Sequence, residues 1–286
     1  MYKVILFYKF VEIEDPEAMK DEMRVLAEKY NLKGRMLIAE EGVNATFEGA
    51  VENIEEYKRR LNEGKIEIFK DIVFKESESE GNAFTRLEIK VRDEVVTLGA
   101  GKFDIKKKTA PTVSAEELEK MYERGEDFIV LDLRNDYEIN VGAFENTVHL
   151  NLQNFRELPN EIERLKDLKK EKLVAVCTGG IRCEKATCLL KQEGFENLYQ
   201  LEDGIHTYMQ KFPGRRFKGS LFVFDNRMIT PVVDTLNREI IGRCIYCNVS
   251  CEDFWSDDSI RPSKKVICCG VCIENHRDKL RSCQPI

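Results

Sequence analysis

The sequence predicts a multidomain chain of mixed α+β and α/β class, with an α+β sandwich first, a parallel α/β domain second and a cysteine-rich region last. Strand-like and helix-like segments alternate over residues 1–98, and buried-type apolar strands alternate with helices over residues 112–216. Seven of the ten cysteines then fall between Cys244 and Cys283. A chain of 286 residues is long enough for two or three domains, each with its own core.

Composition indicates a soluble globular protein. Its 45 basic and 52 acidic residues give a net charge of -7, which argues against a protein that coats nucleic acid non-specifically. No apolar run reaches the roughly 18 to 20 residues of a membrane span, and the first apolar run is too short for a secretory signal. Ten cysteines in such a chain favour catalytic or metal-binding thiols in a reducing compartment. We therefore expect a cytoplasmic protein with no membrane partner.

The first 98 residues follow the order β-α-β-β-α-β. The pattern predicts strands at 4–10, 35–39 and 45–47, helices at 15–30 and 51–61, and a closing segment formed by 84–91 with 95–98. This order is typical of a ferredoxin-like α+β sandwich. Because that fold has many functions, including RNA binding, it indicates none of them by itself.

Residues 99–111 have the glycine, lysine and proline content of a linker, and the first domain boundary is predicted there. Beyond it, Ser114 and Glu117 have the spacing of a helix capping box. Apolar runs predict strands at 128–131, 148–152, 173–176 and 198–201, separated by helices such as 162–168 and 185–193. Residues 112–216 should therefore form a parallel sheet covered on both faces, with its chemistry at the carboxyl ends of the strands. Residues 217–286 form the predicted cysteine-rich region.

The loop Cys177-Thr178-Gly179-Gly180-Ile181-Arg182 lies between a predicted buried strand and a helix. Its two glycines let successive backbone N–H groups point at one spot, and the helix N-terminus adds partial positive charge there. Such a site stabilises a thiolate, so Cys177 is the predicted reactive group. The alternative is a buried structural thiol.

Side chains around this loop have predicted roles, each with a simpler alternative. Arg182 is predicted to clamp an anionic group, or else to pair with a surface acid. Asp132 and Arg134 follow a strand, where they could pair and brace the loop or be purely structural. Cys183 is close enough in sequence to resolve an oxidised active-site cysteine, whereas Cys188 is expected in the core.

The last region contains two C-x2-C units with 21 residues between them, Cys244 with Cys247 and Cys269 with Cys272. This spacing predicts a four-cysteine zinc site of structural type. Alternative ligands are Cys251, Cys268, Cys283 and His276. Because the region has no clear apolar periodicity, we expect it to lack a core and to gain its folding free energy from zinc. Reduced cysteines without a metal are the alternative.

Several motifs carry a family resemblance. Asp-Leu-Arg-Asn-Asp-Tyr-Glu at 132–138, the Cys177 loop and Leu-Glu-Asp-Gly-Ile at 201–205 resemble the rhodanese domain over roughly residues 112 to 212. More closely, Cys-Thr-Gly-Gly-Ile-Arg-Cys-Glu-Lys-Ala at 177–186, Glu-Gly-Val-Asn-Ala at 41–45 and Phe-Val-Phe-Asp-Asn-Arg at 222–227 resemble the tRNA uridine hydroxylase family. That resemblance implies oxygen-dependent conversion of the wobble uridine, position 34 of tRNA, to 5-hydroxyuridine. It also implies Cys177 as the active-site cysteine and the tRNA anticodon region as the partner.

Three basic clusters are candidates for RNA phosphate contacts, with a solvated surface as the alternative. They are Lys102, Lys106, Lys107 and Lys108, then Arg215, Arg216 and Lys218, and finally Arg261, Lys264 and Lys265. Tyr208, Phe212 or Trp255 could stack on a flipped uridine, although core packing is the alternative for each.

Three functions of different classes fit these observations. The first is an oxidoreductase of the EC 1.14 type, a tRNA uridine 5-hydroxylase with oxygen as co-substrate and an unidentified electron donor. No flavin or haem motif is present, and only three histidines are available as iron ligands. The second is a thiosulfate-type sulfurtransferase that works through a Cys177 persulfide. The third is a non-catalytic RNA-binding or zinc scaffold, which the intact loop disfavours.

Overall fold

The computed structural model describes residues 1–63, 67–230 and 239–283, so the predicted region 217–286 lies only partly within the described residues. The chain forms two compact units. The first comprises Met1–Thr97 together with Asp225–Arg227, and the second comprises Leu98–Phe224 and, of the described residues that follow, 228–230 and 239–283. None of the described helices is long and apolar enough to cross a membrane.

The first unit is an α+β sandwich, as the sequence predicts. Its elements are β1 (Tyr2–Phe10), α1 (Pro16–Lys29), β2 (Lys33–Ala39), β3 (Gly42–Ala50), α2 (Val51–Glu63), a 3-10 turn (Glu67–Phe69), β4 (Lys75–Ser79) and β5 (Leu87–Val91). The strand order is β4-β1-β3-β2-β5; β2 pairs with β5 in parallel, and the other neighbouring strands in this order pair antiparallel. Side chains from β1, β3 and α2, including Phe7, Phe47 and Tyr57, pack in its core.

Local sequence explains where α1 begins. Asp15 Oδ1 accepts hydrogen bonds from the backbone N–H groups of Glu17 and Ala18, at 3.1 and 3.0 Å. Pro16 occupies the first turn, where its missing N–H costs nothing. The helix therefore starts at the Asp15-Pro16 pair.

The predicted closing segment of this unit, 84–91 with 95–98, is right only in part, because it contains a strand that does not complete the β-α-β-β-α-β order. Residues 95–98 form no strand, and Leu87–Val91 lies beside β2 at one edge of the sheet. The strand that completes the β-α-β-β-α-β order is Lys75–Ser79, which pairs with β1 at the other edge. Its sequence, Lys-Glu-Ser-Glu-Ser, is polar throughout and has no apolar alternation, because the strand lies at the edge of the sheet and only Lys75 of its five side chains is buried.

The second unit contains the predicted parallel sheet, with strand order β6-β11-β10-β7-β9. Its elements up to residue 219 are α3 (Ile105–Lys108), β6 (Thr112–Val113), α4 (Ala115–Glu123), β7 (Ile129–Asp132), α5 (Asp136–Ile139), β8 (Gly142–Phe144), β9 (Thr147–His149), α6 (Leu158–Glu161), β10 (Leu173–Val176), α7 (Ile181–Gln192), β11 (Leu198–Leu201), α8 (Gly204–Lys211) and β12 (Phe217–Gly219). Residues 155–157 and 162–168 form 3-10 helices. Segments that follow β7, β10 and β11 meet at the carboxyl end of the sheet, where chemistry was expected.

The cysteine-rich region has an apolar core, contrary to expectation. It contains β13 (Leu221–Phe222), β14 (Ile229–Thr230), β15 (Phe254–Asp257), β16 (Lys264–Ile267), α9 (Gly270–Asn275) and β17 (Leu280–Ser282). Phe222, Phe254, Ile267 and Leu280 pack together with Val141 of the parallel domain. These residues are far apart in sequence and follow no regular period, so the pattern could not reveal them.

Candidate active site

Cys177 lies at the carboxyl end of β10, at the first position of the loop that leads into α7. Its side chain is buried, and its Sγ accepts a hydrogen bond from the backbone N–H of Gly180 at 3.2 Å. Gly180 has a φ of 97°, which glycine adopts without strain, so the backbone can turn towards the sulfur. The N–H groups of Arg182 and Cys183 also interact favourably with it. The loop thus directs backbone donors at the sulfur.

The surroundings of Cys177 favour its thiolate. Burial opposes ionisation, but the Cys183 thiol, the positive charge of Arg182 and the backbone donors together lower the pKa of Cys177 from 9.0 to about 6. Burial and the neighbouring Cys177 raise the pKa of the Cys183 thiol. At neutral pH the pair therefore consists of a thiolate and a thiol that donates to it.

Glu138 is a site residue that sequence reasoning missed. It is completely buried, and its Oε1 and Oε2 accept hydrogen bonds from Arg182 Nη1 and Nη2 at 2.5 and 2.8 Å. The Thr178 hydroxyl donates to Oε2 at 3.0 Å. Burial raises the pKa of Glu138, but the Arg182 charge outweighs it and the net shift is downward. One signal was available: Glu138 lies three residues after Asn135, whose backbone N–H donates to Oε1 at 3.0 Å, as in a capping box.

The buried Glu138 pairs with Arg182 and so fixes the Arg182 side chain against α5. Arg182 is therefore not paired with a surface acid. Its predicted role as an anion clamp stays a prediction. The arrangement makes Arg182 a fixed positive charge beside Cys177, held in one orientation by a bidentate carboxylate.

Asp132 and Arg134 form a completely buried ion pair, with Arg134 Nη2 2.6 Å from Asp132 Oδ2. Arg134 also donates to the backbone oxygen of Gly142 at 2.7 Å, and its guanidinium lies 5.4 Å from the centre of the Phe217 ring. These bonds join the end of β7 to β8 and β12. The pair thus fixes the strand end from which α5 and Glu138 follow.

The N-terminus of α8 packs directly on the catalytic loop. The backbone N–H groups of Ile205 and His206 donate to the backbone oxygens of Cys177 and Thr178, at 2.9 and 3.0 Å. Gly204 has a φ of 71°, and a Cβ there would lie 2.6 Å from Gly180 N and 2.7 Å from Cys177 O. Only glycine permits this close approach. Gly204 is part of a motif named in the sequence analysis, but no role was predicted for it.

The other cysteine of α7 has a different environment. Cys188 is completely buried, and burial raises the pKa of its thiol to about 11, as for a residue in the core. Cys183, in contrast, interacts with Cys177 from the first turn of the helix. Its role in resolving an oxidised Cys177 stays a prediction.

The structure brings together the four cysteines of the two C-x2-C units, Cys244, Cys247, Cys269 and Cys272. Their sulfur atoms all lie within 4.8 Å of one another, and those of Cys247 and Cys269 are 3.6 Å apart. Four sulfurs at about 2.3 Å from a tetrahedral zinc would be about 3.8 Å apart, so the spacing fits that ion. In the described part of the chain, none of the alternative ligands joins this group. His276 instead stacks on Tyr246.

The basic RNA candidates lie in different settings. Lys106, Lys107 and Lys108 lie in α3, and Lys107 pairs with Asp104 at 3.5 Å. Arg215 and Arg216 lie near the buried Glu119, at 3.7 and 3.4 Å. Arg216 also pairs with Glu145, and its guanidinium lies over the Tyr122 ring. These contacts occupy Arg216 within the fold, and RNA contact by either cluster stays a prediction.

The three aromatic stacking candidates are used for packing. Tyr208 is completely buried and its hydroxyl donates to Glu119 Oε2 at 2.5 Å. Phe212 packs on Tyr208, and Trp255 Nε1 donates to the backbone oxygen of Cys268 at 3.1 Å. Their packing agrees with the simpler of the two interpretations.

Family models match the chain in three segments. Residues 2–95 match a UPF0176 acylphosphatase like domain, residues 114–211 a Rhodanese-like domain, and residues 218–285 a Rhodanase C-terminal model. The middle match contains the Cys177 loop and the Glu138 and Arg134 side chains that support it.

Curated relatives match over nearly the whole length of this chain. A tRNA uridine(34) hydroxylase of Staphylococcus carnosus is 36% identical over 97% of this chain and 92% of its own. Relatives of the same name from Corynebacterium kroppenstedtii and Bacillus licheniformis are 38% and 37% identical, over 100% and 99% of this chain and 98% and 87% of their own. At this identity and coverage, the chain belongs to the tRNA uridine(34) hydroxylase family.

Proposed function

We propose that this protein is an oxidoreductase that hydroxylates the wobble uridine of tRNA to 5-hydroxyuridine, with residues 112–216 as its catalytic domain. The observation that carries the proposal is the buried Cys177 thiolate, held by a glycine loop and a fixed arginine in a chain of this family. Molecular oxygen is the proposed co-substrate, with an electron donor from outside the chain. The tRNA anticodon region is the proposed partner, and the cytoplasm the proposed location.

The residues of the site have separate proposed tasks. Cys177 supplies the reactive sulfur, and Cys183 donates a hydrogen bond that keeps it ionised. Arg182 provides positive charge beside the sulfur, and Glu138 and Thr178 keep that charge in place. Asp132 and Arg134 hold the strand end beneath α5 and act through these residues rather than on substrate.

Zinc is the proposed occupant of the four-cysteine cluster. Four thiolates leave no open position on a tetrahedral ion, so the metal would be structural. It would link the segment before β15 to α9 and so add to the apolar core of that region.

Sulfur transfer is a second candidate, favoured by the same loop. The Cys177 thiolate would attack the outer sulfur of thiosulfate, forming a persulfide bond while the sulfur–sulfur bond of thiosulfate breaks and sulfite leaves. Intact-mass measurement after thiosulfate treatment tests this step. A gain of one sulfur atom in the wild type, absent from Cys177→Ala, would support it without excluding hydroxylation.

The experiment that tests the proposed function is nucleoside mass spectrometry of tRNA from cells that lack the protein. Loss of 5-hydroxyuridine derivatives at position 34, restored by the wild-type chain, is the expected result. Unchanged derivatives in cells that also lack any parallel pathway would contradict it. Restoration by Cys177→Ala would instead favour a non-catalytic scaffold.

A further inference from the structure

The side chain of Phe224 is exposed beside the catalytic loop. Its ring centre lies 5.7 Å from the guanidinium carbon of Arg182, and 36% of its surface is accessible to solvent. Phe222, two residues earlier, is completely buried and packs on Phe224 with ring centres 5.3 Å apart. The chain therefore keeps one aromatic residue of this pair in the core and leaves the other partly open next to the site.

An aromatic row leads from Phe224 to a lysine. The Phe222 ring packs on Tyr137 with centres 5.0 Å apart, and Lys265 Nζ lies 5.6 Å from the centre of the Tyr137 ring. Tyr137 belongs to α5, the helix that carries Glu138. Two residues of the cysteine-rich region thus lie beside the site, Phe224 next to Arg182 and Lys265 next to α5.

The charge of Lys265 is not neutralised within the described part of the chain, where it forms no ion pair. Its neighbour Lys264 differs, because its amine lies 3.6 Å from Asp136 Oδ2. An open aromatic ring together with an uncompensated cation is the chemistry that binds unpaired nucleotides, the ring by stacking on a base and the cation by contact with a phosphate.

Resting on the proposed function, we propose that Phe224 is the stacking residue for the target uracil and that Lys265 contacts a phosphate of the same RNA strand. Stacking at Phe224 would hold the base beside Arg182, the last residue of the loop that begins at Cys177. The cysteine-rich region would then form part of the substrate site in addition to its structural role. Stacking depends on the aromatic ring, so a larger ring at position 224 should preserve it.

Photocrosslinking tests the position of the base without requiring the reaction. The probe is an RNA anticodon stem-loop with 5-iodouridine at the wobble position, added to the full chain carrying Cys177→Ala. The crosslinked peptide is expected to contain Phe224. A crosslink confined to another peptide, or no binding of the stem-loop, would overturn the inference.

Binding measurements with variants complete the test. Phe224→Ala should weaken binding of the stem-loop on the order of 10-fold, and Phe224→Trp should retain it. The control Tyr2→Ala, which removes a tyrosine that is 45% exposed on β1, should have no effect. Equal binding of the stem-loop by Phe224→Ala and wild type would overturn the stacking role. A shift of the Cys177 ionisation midpoint with unchanged RNA binding would also overturn it, because a purely structural residue would give that result.

Lys265 has a matched control in Lys29, the last residue of α1, whose amine lies 5.5 Å from the centre of the Tyr30 ring. Lys265→Ala should lower the salt dependence of RNA binding by about one counterion, and Lys29→Ala should not. An unchanged slope for Lys265→Ala would overturn the phosphate contact. These assays measure RNA binding and do not require the reaction, so they test the stacking role separately from hydroxylation. A protein that stacks the base but restores no 5-hydroxyuridine in cells would contradict only the proposed function.

Discussion

Arg182 and Glu138 form a bidentate ion pair in the interior of the protein, with nitrogen–oxygen distances of 2.5 and 2.8 Å. The pair places a positive charge next to Cys177 and balances it with a buried carboxylate. The ionisation of Cys177 therefore depends on this ion pair as well as on the Cys183 thiol and the backbone donors of the loop.

This relationship predicts opposite effects of two substitutions on Cys177. The thiolate absorbance of Cys177 is measured as the absorbance of the wild type minus that of Cys177→Ala. It should rise with pH through a midpoint of about 6, the pKa of Cys177. Glu138→Gln leaves the Arg182 charge uncompensated, so the midpoint should move lower. Arg182→Gln removes the charge, so the midpoint should move higher. Shifts in the same direction would contradict the account.

The same ion pair should also matter for stability. Glu138→Gln leaves a buried guanidinium without its partner, and the free energy of unfolding in urea should fall by about 3–5 kcal/mol. Glu161→Gln is the control, because it breaks the exposed pair with Arg164. There the change should be about 1 kcal/mol or less. Similar losses in both variants would show that burial of the Glu138 pair is unimportant.

Gly204 offers a test of the contact between α8 and the catalytic loop. In Gly204→Ala the backbone conformation at position 204 should be strained by about 1–3 kcal/mol. The new Cβ would also lie 2.6 Å from Gly180 N and should displace the catalytic loop. Gly194→Ala is matched, because Gly194 has a φ of 88° and no atom within 4 Å of its Cβ position. Activity should fall on the order of 100-fold only in Gly204→Ala, measured as 5-hydroxyuridine per tRNA. Equal activities would contradict the positioning role.

Metal content tests the cysteine cluster. Cys247→Ser removes one of the four grouped sulfurs and should lower bound zinc, measured by elemental analysis of the purified chain, and the melting temperature with it. Cys283→Ser is the control, since that cysteine lies outside the group. Zinc retained in full by Cys247→Ser, or lost equally from Cys283→Ser, would contradict the assignment.

Sequence patterns predicted the parts of this protein in which local signals and structure agree. The β10 strand is a continuous apolar run, and the glycine loop and α7 follow it directly. The position of Cys177 at the end of a buried strand could therefore be predicted from the sequence. The strand Lys75–Ser79 could not be predicted, because this edge strand is polar throughout and has no apolar pattern. Glu138 and Gly204 lie within recognised motifs, but their roles could not be predicted from sequence. The role of Glu138 depends on residues 40 or more positions away, and that of Gly204 on residues 24 or more positions away.

The central claim is that the Cys177 sulfur in this loop is required for hydroxylation of the wobble uridine. Its most direct test is the amount of 5-hydroxyuridine at position 34 in tRNA from cells that lack the protein and express either Cys177→Ala or Cys188→Ala. Cys188 lies on the same helix but packs in the core. We expect no modified uridine with Cys177→Ala and a substantial amount with Cys188→Ala. Wild-type levels with Cys177→Ala would contradict it.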